Sequence, residues 1–154
     1  MSDVQKRNRE ILDAIQVRRD AFYEATLALE QALAAPAGDR PADWAATLRA
    51  PVAELRSVLE THIAGTEGPD GFFAEIRDQA PRLIHAADRL QSEHDPLREA
   101  VAALAASLDS VTGDDDVEAV REAGVDLIRR LLQHRHRGAE LVYDADWLDV
   151  AAGD

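Results

Sequence analysis

Residues 83–108, LIHAADRLQSEHDPLREAVAALAASL, set Leu83, Ala87, Leu90, His94, Leu97, Val101, Leu104 and Leu108 on one line at close to heptad spacing. Steps of three and four mark a helix that buries one stripe against neighbouring helices. Pro96 lies inside the pattern, where it predicts a kink rather than a break. A histidine stands in the middle of the apolar stripe, so the same reading that sets the fold also raises the question of function.

Upstream, a first helix is predicted from about residue 4 to residue 35, along Leu12, Ile15, Arg19, Phe22, Thr26, Leu29 and Leu33. The breaker cluster at residues 35–41, APAGDRP, closes it. Asp43 is a plausible N-cap for a second helix. Its inward line is Val52, Leu55, Leu59, His62 and Thr66, with Pro51 expected to kink or restart it and Gly65 and Gly68–Gly71 to end it. Residues 71–80, GFFAEIRDQA, read as a short extra helical segment stopped before Pro81. After a turn at residues 112–116 (TGDDD), a last helix buries Leu127, Leu131, His134, Gly138, Leu141 and Ala145. Four long amphipathic helices joined by short or medium loops predict an all-α, antiparallel up-down four-helix bundle. Trp44 and Tyr143 read as packing residues, and residues 147–150 (WLDV) as a tail folding back over the bundle.

Composition agrees. Alanine is about a fifth of the 154 residues, while aromatic residues are only 5%, a mix that favours helix over sheet. The length suits one domain over residues 1–154. The chain has no cysteine, which excludes disulfides, thiolate chemistry and cysteine-bound zinc. No apolar run approaches the ~20 residues of a membrane span and the start is charged, so a reducing cytoplasm is the expected location. The formal net charge of −13 argues against nucleic acid and anionic membranes as partners. With the apolar stripes used up inside one chain, a monomer or homodimer is expected.

The five histidines divide by helical phase. His62, His94 and His134 lie on the stripes of their own helices; His85 and His136 fall on outward faces. Depth is a second test. His94 lies 20 residues before Asp114, His134 lies 20 after it, and His62 lies 19 after Asp43. In an up-down bundle those turns share one end, which places all three histidines roughly 30 Å from it at ~1.5 Å per residue. The same count on the first helix reaches Arg18 and Arg19. One layer is thus expected to hold three imidazoles and a guanidinium.

Neutral imidazole is a common ligand for iron, zinc, copper and manganese, and bundle cores hold such ions with side chains from facing helices. The candidate metal ligands are His62, His94 and His134, with Glu67 and Glu140 as carboxylates. Glu67 follows His62 by five, and Gly65 and Gly68 give the chain room to swing it inward; Glu140 follows His136 by four on the outward face. Glu93 reads as a surface charge. Arg18 and Arg19 are the candidate binders of an anionic ligand, and Gly138 leaves space beside His134.

The segments LETHIAGTE (59–67), LQSEHDPL (90–97) and LLQHRHRGAELVYDADWLD (131–149) resemble the hemerythrin-like (HHE cation-binding) domain family. The resemblance implies a four-helix bundle with a non-heme iron centre, usually diiron, that binds dioxygen or nitric oxide, decomposes peroxide, or senses iron and oxygen. That family has a histidine on the first helix, His-x-x-x-Glu on the second, histidine on the third, and histidine followed by an acid on the fourth. Here the first helix offers Arg18, Arg19 and Glu24. The residues four after His62, His94 and His134 are Thr66, Arg98 and Gly138. The resemblance therefore implies a divergent member with a mononuclear or incomplete dinuclear site for iron or zinc, or a metal-free pocket of the same shape. Three functions stay open: handling of a small molecule such as dioxygen, peroxide or nitric oxide; a metal-dependent enzyme on a small organic substrate; and a metal-free sensor or structural bundle with a buried His/Arg layer.

Overall fold

The structure is a computed structural model and describes residues 2–145. Helix α1 spans Asp3–Ala34 and opens on a capping box in which Ser2 Oγ accepts from the Gln5 backbone N–H and Gln5 Oε1 accepts from that of Ser2. This satisfies donors that a helix start otherwise leaves unpaired. Its inward stripe is Phe22, Ala25, Thr26, Leu29 and Leu33. Arg19, expected on that stripe, is exposed, and Arg18 is the half-buried one.

Helix α2 spans Pro41–Glu67. It starts two residues before the expected cap: Arg40 is the N-cap and Asp43 lies in the first turn. A proline in the first turn costs nothing, because its missing N–H would have had no partner there. The helix continues through Pro51 without a restart and ends at Gly68, whose N–H donates to the Ala64 carbonyl.

Helix α3, Phe72–Gln79, realises the short segment expected before Pro81. It folds back so tightly that a Cβ at Gly71 would lie 2.6 Å from the Gly65 carbonyl oxygen and 2.8 Å from that of Thr66. A 3-10 turn at Pro81–Leu83 leads into α4, Ile84–Gln91, and α5 follows at His94–Ser107. The kinked helix expected across this region is divided into α4 and α5 at Ser92 and Glu93, both of which keep right-handed helical backbone angles. Pro96 explains it: with no N–H to give to the Ser92 carbonyl, and a ring that crowds that carbonyl, it cannot continue the ladder. His94 thereby becomes the first residue of α5.

Helix α6, Asp114–Asp144, begins where the Asp116 carboxylate accepts from Thr112 N, Thr112 Oγ1 and Gly113 N. The described residues contain no strand, and the chain forms a helical bundle: α1 packs on α2, α2 on α5, α5 on α6 and α6 on α1. No helix is long and apolar enough to cross a membrane among the described residues. The tail expected at residues 147–150 lies outside the described range.

Two apolar clusters form the core. The larger contains Leu29, Leu48, Leu55, Leu59, Leu127 and Leu131; the smaller contains Phe72, Phe73, Ile76, Leu90 and Leu141. Because Gly71 seats α3 on the end of α2, Gly71→Ala is expected to destabilise the protein by about 1–3 kcal/mol, the usual cost of forcing atoms into a packed contact. Urea unfolding measures this, and an unchanged midpoint would refute the role given to Gly71.

Candidate metal centre

The three stripe histidines meet. His62 comes from α2, His94 from the start of α5 and His134 from α6, and one ligand nitrogen from each lies within 4.8 Å of the other two. His62 Nε2 and His134 Nε2 are 3.2 Å apart, and the ring centroids are 5.0–5.3 Å apart, the rings meeting edge to face. His94 and His134 are almost fully buried, at 1% and 2% exposure. Phe22 packs on His62 from one apolar cluster and Phe73 on His94 from the other, so the imidazole layer sits between the two.

Carboxylates stand behind two of the rings. His94 Nδ1–H donates to Glu67 Oε1 at 2.8 Å, and His134 Nδ1–H donates to Glu93 Oε1 at a longer 3.4 Å. Glu93 is itself gripped by Arg137 through two hydrogen bonds. A carboxylate on Nδ1 selects the Nδ1–H tautomer and leaves the Nε2 lone pair free. His94 Nε2 is buried and has no hydrogen-bond partner, an omission that costs stability unless something else uses the lone pair.

Electrostatics keep two of the rings, those of His62 and His134, neutral. Burial, the neighbouring imidazoles of His134 and His94, and the Arg18 charge push His62 down to about 3. Burial and His94 push His134 down to about 4, with Glu93 acting in the opposite sense. Burial alone would raise the Glu93 carboxyl, but the Arg137 hydrogen bond and the charges of His134 and Arg137 outweigh it and hold it low. Neutral imidazoles are the form that binds metal. With metal–nitrogen bonds of ~2.0–2.1 Å, tetrahedral ligand nitrogens stand about 3.4 Å apart, so the His62–His134 pair is already near that spacing. The donor set fits a first-row ion: His62, His94 and His134 would hold it.

The other expected site residues take different places. Glu67 lies behind His94, on the side away from its Nε2. Glu140 is exposed and pairs with His136 at 3.1 Å; His85 is exposed as well. The Arg18 guanidinium lies over Gly65, where a Cβ would sit 2.5 Å from Arg18 Nη1. Burial pulls the Arg18 pKa down. Arg18, His62, His134, Phe72, Leu90 and Gly138 line a cavity of about 370 Å³ beside the cluster. A Cβ at Gly138 would meet only Leu90 Cδ2, at 3.7 Å, so the expected space is there. Arg19 reaches the same cavity from its exposed position. Sequence reasoning missed Glu93 and Arg137. The sequence signal nearby was the proline at position 96, where the helix divides; the reach of Glu93 to Arg137 depends on how α6 packs alongside.

The depressed histidines set the sign of the acid response. Between the ordinary value of 6.5 and about 3, the unfolded chain takes up a proton at residue 62 that the folded chain refuses. Stability is therefore full above about pH 6.5 and falls as the pH drops through that window. Metal-free protein is expected to lose melting temperature from about pH 7 to about pH 4, with a shallower loss in His62→Leu. Melting followed by circular dichroism tests this; equal slopes for the two proteins would contradict it.

No protein-family model matches this chain, and neither a curated protein nor a solved structure shows significant similarity to it.

Proposed function

We propose that this chain is a divergent hemerythrin-like protein, an antiparallel up-down bundle that holds one first-row metal ion, iron or zinc, on His62, His94 and His134 and handles a small molecule in the adjoining cavity. The observation that carries the reading is the convergence of three imidazoles, two buried and one half-buried, around the unpartnered His94 Nε2, with carboxylates behind His94 and His134. The antiparallel order is supported by contacts such as that of Arg121, near the start of α6, with the carbonyls of Leu33 and Ala35 at the end of α1.

A bound ion would supply Lewis acidity and open positions for a small ligand. The chain's own groups do the rest. Glu67 and Glu93 orient two ligand rings, Phe73 and Phe22 exclude water from them, and Arg18 places a positive charge beside His62. Dioxygen, peroxide and nitric oxide are the ligand class that the resemblance implies.

Elemental analysis of protein loaded with iron or zinc is expected to find near one equivalent. His62→Ala, His94→Ala and His134→Ala should each remove most of it. Glu67→Ala should weaken binding about 10- to 100-fold, the usual effect of losing a carboxylate behind a histidine ligand. His85→Gln and His136→Gln should change nothing. Two equivalents would overturn the single-ion reading, and none with either metal would overturn metal binding itself.

A further inference from the structure

We propose that the cavity beside the histidine cluster binds an amphipathic monocarboxylate, its head on Arg18 and its tail on the apolar walls. This deepens the reading above by naming a ligand class, and it rests on the cavity's own residues rather than on a metal.

The lining divides into two kinds of surface. Leu12, Ile15, Phe72, Leu90 and Val142 supply apolar walls, while Arg18, Arg19 and Arg135 bring three guanidinium groups. Among the described residues no carboxylate lines the cavity, in a chain that carries 30 acidic residues against 17 basic. Some arginines elsewhere, such as Arg49, Arg98 and Arg129, are paired with carboxylates, while others, such as Arg56 and Arg130, stand without an ion pair but away from this cavity. Among the described residues Arg18, Arg19 and Arg135 have no such partner. Arg19 and Arg135 repel each other, and the nearby Asp20 charge offsets this only in part at Arg135, without forming an ion pair. Unpaired cations gathered on an apolar cavity of an acidic protein are a binding surface for an anion with an apolar body.

Size and charge narrow the class. At about 370 Å³ the cavity is near the small end of the ~300–1,000 Å³ range of ligand sites. Arg18 is the cation set deepest, half-buried over Gly65 and close to His62. Its planar fork suits a carboxylate bidentately. One inward guanidinium balances one negative charge, and a dianion there would keep an uncompensated charge out of water.

Titration calorimetry on the full chain, both metal-loaded and metal-stripped, tests this with octanoate, octanol, octylamine and acetate. Octanoate is expected to bind one-to-one in both forms, with octanol about tenfold weaker or more, since a charge-assisted hydrogen-bond pair is lost. Acetate and octylamine should not bind measurably. Arg18→Gln should weaken octanoate by at least about tenfold. Gly138→Leu should abolish it by filling the space, with circular dichroism and metal content unchanged. Octanol binding as tightly as octanoate, or Gly138→Leu retaining octanoate, would overturn the proposal. So would octanoate binding that needs metal and ignores Arg18→Gln. Octanoate binding to a protein that takes up no metal would uphold the cavity and sink the metal reading; metal uptake without octanoate binding would do the reverse.

Discussion

Three imidazole rings packed at centroid distances of 5.0–5.3 Å cannot all be protonated inside a helical bundle. Two unit charges ~5 Å apart repel by about 3 kcal/mol even at an effective dielectric near 20, and desolvation adds to that. Burial and these charges hold His62 and His134 neutral, and the layer has a second requirement: its buried ring nitrogens need partners in an apolar setting. Glu67 and Glu93 each accept one Nδ1–H, and His62 and His134 face one another through Nε2. With His134 in its Nδ1–H form, His62 must supply the proton between them. His94 Nε2 is left over. A cation at the centre uses all three inward lone pairs and replaces the shared proton, which is why the metal reading resolves a cost that simple packing leaves standing.

Much of the surrounding architecture can be traced to this layer. It sits between a larger apolar cluster and a smaller one, with Phe22 and Phe73 covering it from the two sides. Phe73 reaches it only because α3 folds back against the end of α2, an approach that Gly71 permits. The division at Ser92 and Glu93 ends α4 and starts α5 at His94, and Glu93 reaches His134 and Arg137 across the gap to α6.

The helices and the histidine layer were legible in the sequence because both depend on periodicity. Phase separated His62, His94 and His134 from His85 and His136, and residue counts from the turns placed the three at one depth. What periodicity does not encode is where a long side chain ends. Arg19 has the better phase, yet it is Arg18 that lies over Gly65, because the absent Cβ there makes room for its guanidinium. Glu67, five residues after His62 and off the ideal stripe, read as an inward carboxylate because Gly65 and Gly68 give the chain room to swing it in. It reaches the back of His94 instead, a position that depends on the neighbouring helix. Glu93 read as a surface charge because it stands beside His94, off the inward stripe; its reach to His134 and Arg137 depends on how α6 packs alongside.

The residues at the remaining slots explain why a single ion with an adjoining space is a better reading than two ions. In the pattern of the family that the chain resembles, acids or histidines four or five residues after the conserved histidines complete a dinuclear centre. Thr66 turns its hydroxyl back onto the His62 and Ile63 carbonyls, so it is occupied by its own helix. Arg98 projects outward and is held by Glu60 and Asp95. Gly138 has no side chain, and its Cβ position is nearly empty. None of the three offers a ligand atom, and two of them, Thr66 and Gly138, line the cavity. Where the proposed family pattern would place a bridging group, this chain has open volume beside His134, with Arg18 lining the same cavity. A second cation there would face a guanidinium and no carboxylate, whereas an anion would face that same guanidinium favourably. On the proposed reading, the positions that lack a second set of ligands are thus also the ones that leave room for a small anion.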